Sequence, residues 1–142
     1  MQSVFKNAKI FIGHDLLAAA RALLANSPGF GAILGTGTNT CLYDGKKIIH
    51  NIDSLGYFLG DEGSGAYFGK LILRDFLYQK LPTEIETELK EKYHVEKNEI
   101  FHRTYKAMSP NRYLASFAPI LSAFRDTDYV QLLLQEGFTA FF

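Results

Sequence analysis

Three short stretches hold the residues whose types and spacing are suited to chemistry. "GHD" places Asp15 directly before a run rich in Ala and Leu, "ILGTGTNT" puts small residues between two β-prone runs, and "GYFLGDEGSGAYFG" joins acids and glycines ahead of a helical pattern. Each stretch is suited to binding a ligand, and each also has an ordinary structural explanation.

Asp15 is the candidate catalytic acid or base. It precedes a helix that we predict from Leu16 to Ala25 and expect to be largely buried, and Asp is a favoured N-cap whose loss costs about 1 kcal/mol. It also follows a short buried strand predicted over Lys9 to Gly13, and α/β sheets place ligands at the carboxyl ends of their strands. The two roles are compatible, so the residue pattern leaves both open.

The turn Gly35-Thr36-Gly37-Thr38-Asn39 is the candidate phosphate site. Glycines let backbone N–H groups approach an anion closely, and threonine hydroxyls add further donors. An ordinary hairpin turn has the same composition and needs no ligand. The stretch is neither a Walker A loop nor a dinucleotide fingerprint, because it lacks the Gly-Lys-Ser/Thr ending and a strand follows it.

The third stretch, Asp61-Glu62-Gly63-Ser64-Gly65, offers two carboxylates. Asp61 or Glu62 is suited to a hydroxyl-rich ligand or a metal-bound water, and capping of the following helix explains the same residues. Gly65 and Gly69 are four residues apart, which predicts close approach of that helix to a neighbouring element.

The bulk composition excludes several classes of protein. The 142 residues carry equal numbers of acidic and basic side chains and are 47% hydrophobic, which is typical of a globular domain and gives no electrostatic case for a nucleic-acid or membrane partner. Cys41 is the single cysteine, so an internal disulfide and a multi-cysteine zinc site are excluded, and we expect it to be a small buried hydrophobe. Scattered histidines predict no metal clamp. We expect a cytoplasmic protein.

The elements around these stretches predict an α/β fold: a sheet with a β-hairpin, followed by a mainly helical C-terminal half. The hairpin turn is "DGKK", and "PTEIETELKEKY" has i, i+4 Glu–Lys pairs typical of a solvated helix face. Ser109-Pro110 should begin a helix that Pro119 kinks. The predicted strands are Gly31 to Leu34, Thr40 to Tyr43 and Lys47 to Ile52. A helix is predicted after the acidic stretch and through Lys80, with Phe68, Ile72 and Phe76 on one stripe.

In this order and spacing, the three stretches resemble the BadF/BadG/BcrA/BcrD-type ATPase family, and its N-acetylglucosamine kinase branch in particular. The match runs from about Ile10 to Gly69. The resemblance implies a ribonuclease H-like (actin-like ATPase) domain of the sugar kinase superfamily. It also implies that ATP, with Mg²⁺, phosphorylates the 6-hydroxyl of an amino sugar.

The resemblance also implies roles for individual residues. Asp15 falls on the catalytic aspartate that accepts the proton of the sugar hydroxyl, and the family's second phosphate loop falls on Gly35, Thr36, Gly37 and Thr38. The sugar-binding positions fall on Asn39, Gly56 and Asp61, and no metal ligand is implied. The chain departs from the family at Asp53-Ser54-Leu55-Gly56, where a Gly-Gly-Trp-Gly stretch is usual, so the sugar specificity implied by the tryptophan does not carry over.

The family's Asp-Gly-Gly-Gly-Thr first phosphate loop and its later adenosine loop do not occur in the sequence. With the apolar C-terminal helix, this predicts that residues 1–142 are the central piece of a two-domain kinase, inactive by itself. Residues 1–60 would hold the sheet, the catalytic Asp and the second phosphate loop, and residues 61–142 would be mostly helical.

Two other functions stay open on the sequence. One is an ATPase activator of a radical acyl-CoA dehydratase, whose cysteines hold an iron–sulfur cluster, and the other is a degenerate binding domain without catalysis. For the kinase, the expected partners are a small-molecule sugar and ATP, without nucleic acid or membrane, and a homodimer is compatible with the sequence.

Overall fold

A computed structural model describes residues 4–5, 7–10 and 12–142. Over these residues the chain is an α/β protein, in which a three-stranded sheet of order β1-β2-β3 is followed by a helical C-terminal half, as predicted. The elements are α1 (Asp15–Leu24), β1 (Pro28–Leu34), β2 (Thr38–Asp44), β3 (Ile48–Ile52), α2 (Gly56–Leu59), α3 (Gly65–Leu77), α4 (Thr83–Glu91), α5 (Lys97–Tyr105), α6 (Pro110–Ala115), α7 (Pro119–Ala123) and α8 (Asp128–Phe141).

The strand predicted over Lys9 to Gly13 is wrong for the described residues of that segment. Lys9, Ile10, Ile12 and Gly13 belong to no regular element, and Phe11 lies outside the described residues. A short apolar run becomes a strand only when a neighbour pairs with its backbone, and β1, β2 and β3 make up the sheet of the described residues.

The chain divides into two compact units, unit 1 (Met1–Ala32 and Thr40–Ile52) and unit 2 (Ile33–Asn39 and Asp53–Phe142). The division passes through β1 and β2, so the ends of both strands and the turn that joins them belong to unit 2. Candidate residues therefore fall in both units.

Unit 1 contains α1 and the hairpin of β2 and β3. α1 was expected to be largely buried, but only one stripe of it is: Leu16 and Ala20 are buried, whereas Leu23 is 68% exposed. Gly31 makes this packing close, because a Cβ there would lie 3.4 Å from the Cβ of Ala20 and 3.5 Å from the Sγ of Cys41.

The β2–β3 hairpin is confirmed, with antiparallel pairs from Thr40↔Ile52 to Leu42↔His50 and an irregularity between Leu42 and Tyr43. Its turn is stabilised by its own first residue. Asp44 Oδ1 accepts hydrogen bonds from the N–H groups of Lys46 and Lys47, both at 2.8 Å, as short polar side chains commonly do in turns.

Unit 2 is built around α3, whose Phe68 and Ile72 are buried as the stripe predicted, with Phe76 half-buried. The close approach predicted for its glycines occurs at Gly69, where a Cβ would collide with the backbone carbonyl of Leu114 in α6. The buried core continues through α4, α6, α7 and α8 and the segment between α6 and α7, with Ile85, Leu89, Leu114, Phe117, Ile120, Val130 and Leu133.

Two helix boundaries in unit 2 differ from those predicted. α3 ends at Leu77 rather than Lys80, because Gln79 adopts a left-handed conformation with φ 57° and the Lys80 N–H turns back to the carbonyl of Asp75. Pro119 does not kink a longer helix but begins a separate one, α7, since proline suits the first position of a helix.

The charged face of α4 is confirmed. Lys90 Nζ lies 2.6 Å from Glu86 Oε1, and Lys92 Nζ lies 2.7 Å from Glu88 Oε1. No helix among the described residues has the length and apolar character needed to cross a membrane.

Candidate functional site

The β1–β2 turn in unit 2 is fixed to the beginning of α3 through its carbonyl groups. The N–H of Gly65 donates to the carbonyl of Gly35 at 2.8 Å, and the N–H of Ala66 donates to the carbonyl of Thr36 at 3.0 Å. Within the turn, the N–H of Gly35 donates to the carbonyl of Gly37 at 2.9 Å. The turn and the helix therefore satisfy each other's backbone groups.

Ser64 completes the N-terminus of α3. Its hydroxyl accepts a hydrogen bond from the N–H of Tyr67 at 3.1 Å, and its carbonyl accepts one from Phe68 at 3.1 Å. The capping role that the sequence left open for Asp61 or Glu62 thus belongs to Ser64, a favoured N-cap type that could have been recognised before the Gly-Ala-Tyr-Phe run. The two turn carbonyls and the two oxygens of Ser64 together accept hydrogen bonds from the first four N–H groups of α3. The N-terminus of this helix therefore offers no free N–H group to a ligand.

The turn itself keeps donors free. Among the described residues, the N–H groups of Thr36 and Gly37 have no protein acceptor, and Thr36 is exposed. Two consecutive free N–H groups beside a hydroxyl are donors of the kind that bind phosphate oxygens. Of the residues Gly35 to Thr38, the central pair is the one equipped to hold an anion.

Asp61 lies behind this turn and is only 6% exposed. Its Oδ1 accepts a hydrogen bond from the N–H of Thr38 at 3.1 Å and one from the Thr38 hydroxyl at 3.5 Å. Asp61 also has a left-handed backbone, with φ 58°, and its N–H donates to the carbonyl of Ser54 at 2.9 Å. Sequence reasoning missed the bond to Thr38, because nothing local signals a contact between residues 23 positions apart.

Asp15 lies in unit 1 as the first residue of α1, with His14 in the N-cap position. The prediction that Asp15 is the N-cap is therefore wrong by one residue. Its Oδ1 accepts a hydrogen bond from the N–H of Leu16 at 2.8 Å, and His14 Nδ1 lies 3.4 Å from the same oxygen. The Asp15 side chain is 82% exposed, so the carboxylate is accessible to a substrate.

The remaining candidate positions lie in unit 2. Asn39 is half-buried in β2, and Gly56 begins α2 with φ 74°, a conformation that glycine adopts without strain. Leu55, which replaces the family's tryptophan, has φ 59° and is 69% exposed. An apolar side chain is thus presented to solvent at the position where the sequence departs from the family.

Cys41 is fully buried in β2, which confirms the expectation of a small buried hydrophobe. Across the part of the chain that the structure describes, no three His, Cys, Asp or Glu side chains come together as a metal-binding group.

No protein-family model matches the chain, and no curated protein matches it. Among solved structures, the chain is similar to the "putative N-acetylglucosamine kinase" of Porphyromonas gingivalis, with 41% identity and a TM-score of 0.83 over 87% of this chain and 44% of that one. It is also similar to the "putative N-acetylglucosamine kinase" of Chromobacterium violaceum, with 20% identity and a TM-score of 0.68 over 97% of this chain and 52% of that one.

The chain therefore spans about half the length of these two proteins. The similarity to the Porphyromonas protein supports a relationship with the sugar kinases, and the similarity to the Chromobacterium protein shows a shared fold. What either protein phosphorylates bears on this chain only by analogy.

Proposed function

We propose that this chain is part of a sugar kinase of the BadF/BadG/BcrA/BcrD type, which transfers phosphate from ATP to the 6-hydroxyl of an N-acetylglucosamine-like amino sugar. The observation that carries the proposal is the β1–β2 turn, whose Thr36 and Gly37 N–H groups are free while its carbonyls are bound to α3. Similarity to the Porphyromonas protein over most of the chain gives the turn its sugar-kinase context.

The chemistry divides between the two units. In unit 2, the Thr36 and Gly37 N–H groups would bind oxygens of the ATP phosphates and offset their charge, which is the main protein contribution to phosphoryl transfer. In unit 1, the exposed Asp15 carboxylate would accept the proton of the attacking hydroxyl, and its bond to the Leu16 N–H fixes its orientation.

Residues of unit 2 would hold the sugar. Asn39 supplies an amide able to donate and accept, and Gly56 supplies backbone groups in a conformation, φ 74°, that glycine adopts without strain. The family pattern also assigns Asp61 to a sugar hydroxyl, a role left to its Oδ2 because Oδ1 accepts the Thr38 bonds. Leu55 in place of tryptophan favours an acceptor that differs in its N-acyl region from the family's usual one.

ATP would enter with Mg²⁺ bound to its phosphates. Mg²⁺ commonly takes only one or two protein carboxylates and completes its shell with water and phosphate oxygens. Asp15 is an exposed carboxylate that fits such a limited part. Buried Cys41 in turn weighs against the dehydratase activator, which needs accessible cysteines.

The 142 residues by themselves should not phosphorylate a sugar, since the family's first phosphate loop does not occur in the sequence. Cytoplasmic location and assembly as a homodimer remain expectations of the same proposal.

Replacing Asp15 by Asn in a protein that includes the first phosphate loop tests the proposal. Loss of the base should lower kcat by about 10²–10⁴-fold, while the dissociation constant of the sugar changes little. A coupled ADP-release assay measures the first and calorimetry the second. Asp126→Asn, at a carboxylate that is 91% exposed, is the matched control and should leave both unchanged. An Asp15→Asn variant with wild-type kcat would show that Asp15 is not the base.

A further inference from the structure

We infer that a cavity between α3, α5 and α6 is a second ligand site, which binds a small aromatic phosphate monoester away from the β1–β2 turn. The cavity has a volume of about 460 Å³, within the range of small-molecule sites. All the residues that line it belong to unit 2, and none of them has been assigned above to ATP or to the sugar.

The base of the cavity is apolar and its walls carry cations. Leu73 of α3, Ile100 of α5 and Leu114 of α6 line it and are buried. Residues three apart in a helix share a face, so Lys70 lies on the same face of α3 as Leu73, and Lys97 lies on the same face of α5 as Ile100. Each of the two helices therefore presents an apolar side chain and a lysine to the same space.

The cavity has an excess of positive charge. Lys70, Arg74 and Lys97 line it, and none of the described residues that line it is acidic. Arg74 Nε lies 2.9 Å from Asp75 Oδ1, and Lys70 Nζ donates to the carbonyl of Tyr57 at 3.3 Å. Lys97 is exposed, and within the described part of the chain its ammonium group has no ion pair or hydrogen bond. The charge favours an anionic ligand, with Lys97 as its free partner.

Thr104 adds a polar group that lacks a partner. It lines the cavity four residues after Ile100, and its Oγ1 is buried without a hydrogen bond to any described residue. A threonine in a helix can bond to the carbonyl one turn earlier, and Thr104 does not. Because a buried hydroxyl without a partner costs free energy, a ligand oxygen that accepts its hydrogen bond would remove that cost.

Exposed aromatic rings favour a flat apolar body for the ligand. The rings of Phe101 and Tyr105 are stacked, with centroids 6.2 Å apart and 17° between their planes, and Tyr78 lines the cavity from the end of α3. Tyr78 and Tyr105 are 67% and 72% exposed, so their faces are available to a further ring. A phosphate monoester carries about −1.5 to −2 charges at pH 7, which suits the excess of cations.

The binding test uses the 142-residue chain with 1-naphthyl phosphate as the probe. Calorimetry should give a dissociation constant of about 1 mM or below. Neutral 1-naphthol and inorganic phosphate each lack one half of the ligand and should bind at least about tenfold more weakly. In NMR spectra the probe should shift the amide signals of Ile100 and Thr104. Shifts confined to Thr36 and Gly37 would place the probe on the β1–β2 turn and overturn the inference.

Two variants of the cavity complete the test. Lys97→Gln removes the free cation and Thr104→Val removes the free hydroxyl, and each should weaken the binding of 1-naphthyl phosphate by about fivefold. Lys106→Gln is the matched control, because Lys106 is an exposed lysine directly after α5 that does not line the cavity, and it should leave the affinity within about twofold of wild type.

Thr104→Val also separates binding from folding. It replaces a hydroxyl without a partner by a methyl group of similar shape, so the variant should unfold at the same urea concentration as the wild type or at a higher one. Unchanged affinity in both Lys97→Gln and Thr104→Val, or no binding of the probe by the wild-type chain, would overturn the inference. Neither measurement uses catalysis, so each result is independent of the proposed kinase activity.

Discussion

The two turns of the sheet are stabilised by hydrogen bonds from different parts of the chain. The β2–β3 turn is held by Asp44, whose carboxylate binds the N–H groups of Lys46 and Lys47, two and three residues away. The β1–β2 turn is held by Asp61 and by the start of α3, from more than 20 residues away in the sequence. The shortest side-chain bonds of the β2–β3 turn thus come from its own first residue, whereas the β1–β2 turn, besides its internal Gly35–Gly37 bond, relies on residues distant in the sequence.

The difference decides which turn has donors to offer. Asp44 uses the N–H groups of its own turn, so that turn is stable but has little left for an anion. In the β1–β2 turn, support comes through the carbonyls of Gly35 and Thr36 and through the N–H of Thr38, which leaves the central donors free. A turn that must bind a ligand benefits from external support, because internal bonds would consume the groups that the ligand needs.

The largest expected effect is a difference in unfolding free energy between alanine substitutions of the glycines in the two turns. Gly45 has φ 93°, and a Cβ there would collide with the carbonyl of Asn26, so Gly45→Ala should lower the free energy of unfolding by about 3 kcal/mol. Gly37→Ala should cost about 1–2 kcal/mol, since the Asp61 side chain can move at the expense of its bonds to Thr38. Urea unfolding measures both.

The double variants give the control. Asp61→Ala should remove most of the cost of Gly37→Ala, because it empties the space that a Cβ at position 37 would need, whereas Asp44→Ala should not relieve Gly45→Ala. Additive costs for the Gly37 and Asp61 changes would mean that the two residues are not in contact.

A smaller effect is expected at the cap of the helix that supports the first turn. Ser64→Ala removes the acceptor of the Tyr67 N–H and should cost about 1 kcal/mol of unfolding free energy. Ser109→Ala is the matched control, because the Ser109 side chain makes no capping bond within the described part of the chain. Equal costs for the two variants would contradict the capping role of Ser64. Amide exchange at Lys46 and Lys47 should be unaffected in both.

The smallest effect is the acid sensitivity of the second turn. Hydrogen bonds from the backbone N–H groups of Lys47 and Lys46 hold the pKa of Asp44 below its ordinary value of 3.8. A lowered pKa means that the carboxylate stabilises the turn above that ordinary value and that this contribution is lost as the pH falls through the pKa of the folded state.

The amide proton shifts of Lys46 and Lys47 in NMR spectra should therefore titrate together at a pH below 3.8. The titration should be absent in Asp44→Asn. An inflection at or above 3.8 would show that the turn does not favour the charged form of Asp44.

Much of the fold follows from local patterns. The "DGKK" turn, the i, i+4 Glu–Lys pairs of α4 and the apolar stripe of α3 were each sufficient to predict an element that the structure contains. The strand predicted over Lys9 to Gly13 failed because strand formation needs a partner, and local sequence does not show whether one exists. The prediction that α1 is largely buried was wrong for a related reason, since the sequence does not distinguish Ala and Leu on an exposed helix face from Ala and Leu on a buried one.

The candidate site divides in the same way. Its residue types could be read from the chain, including Asp15, the Gly35 to Thr38 turn and the acidic stretch after Gly60. Their contacts could not. The sequence offered Asp61 as a helix cap or a ligand, and the structure gives the cap to Ser64 and places Asp61 against Thr38.

The sequence by itself determined where the β2–β3 hairpin turns, that the second half of the chain is mainly helical and which residues are available for chemistry, because these depend on neighbours within a few positions. Tertiary structure decided which turn keeps free donors and which carboxylate supports it. That outcome depends on packing α3 behind the β1–β2 turn and on the space that Gly37 leaves for Asp61. Such contacts join residues that are distant in the sequence, so only the folded chain brings them into hydrogen-bonding range.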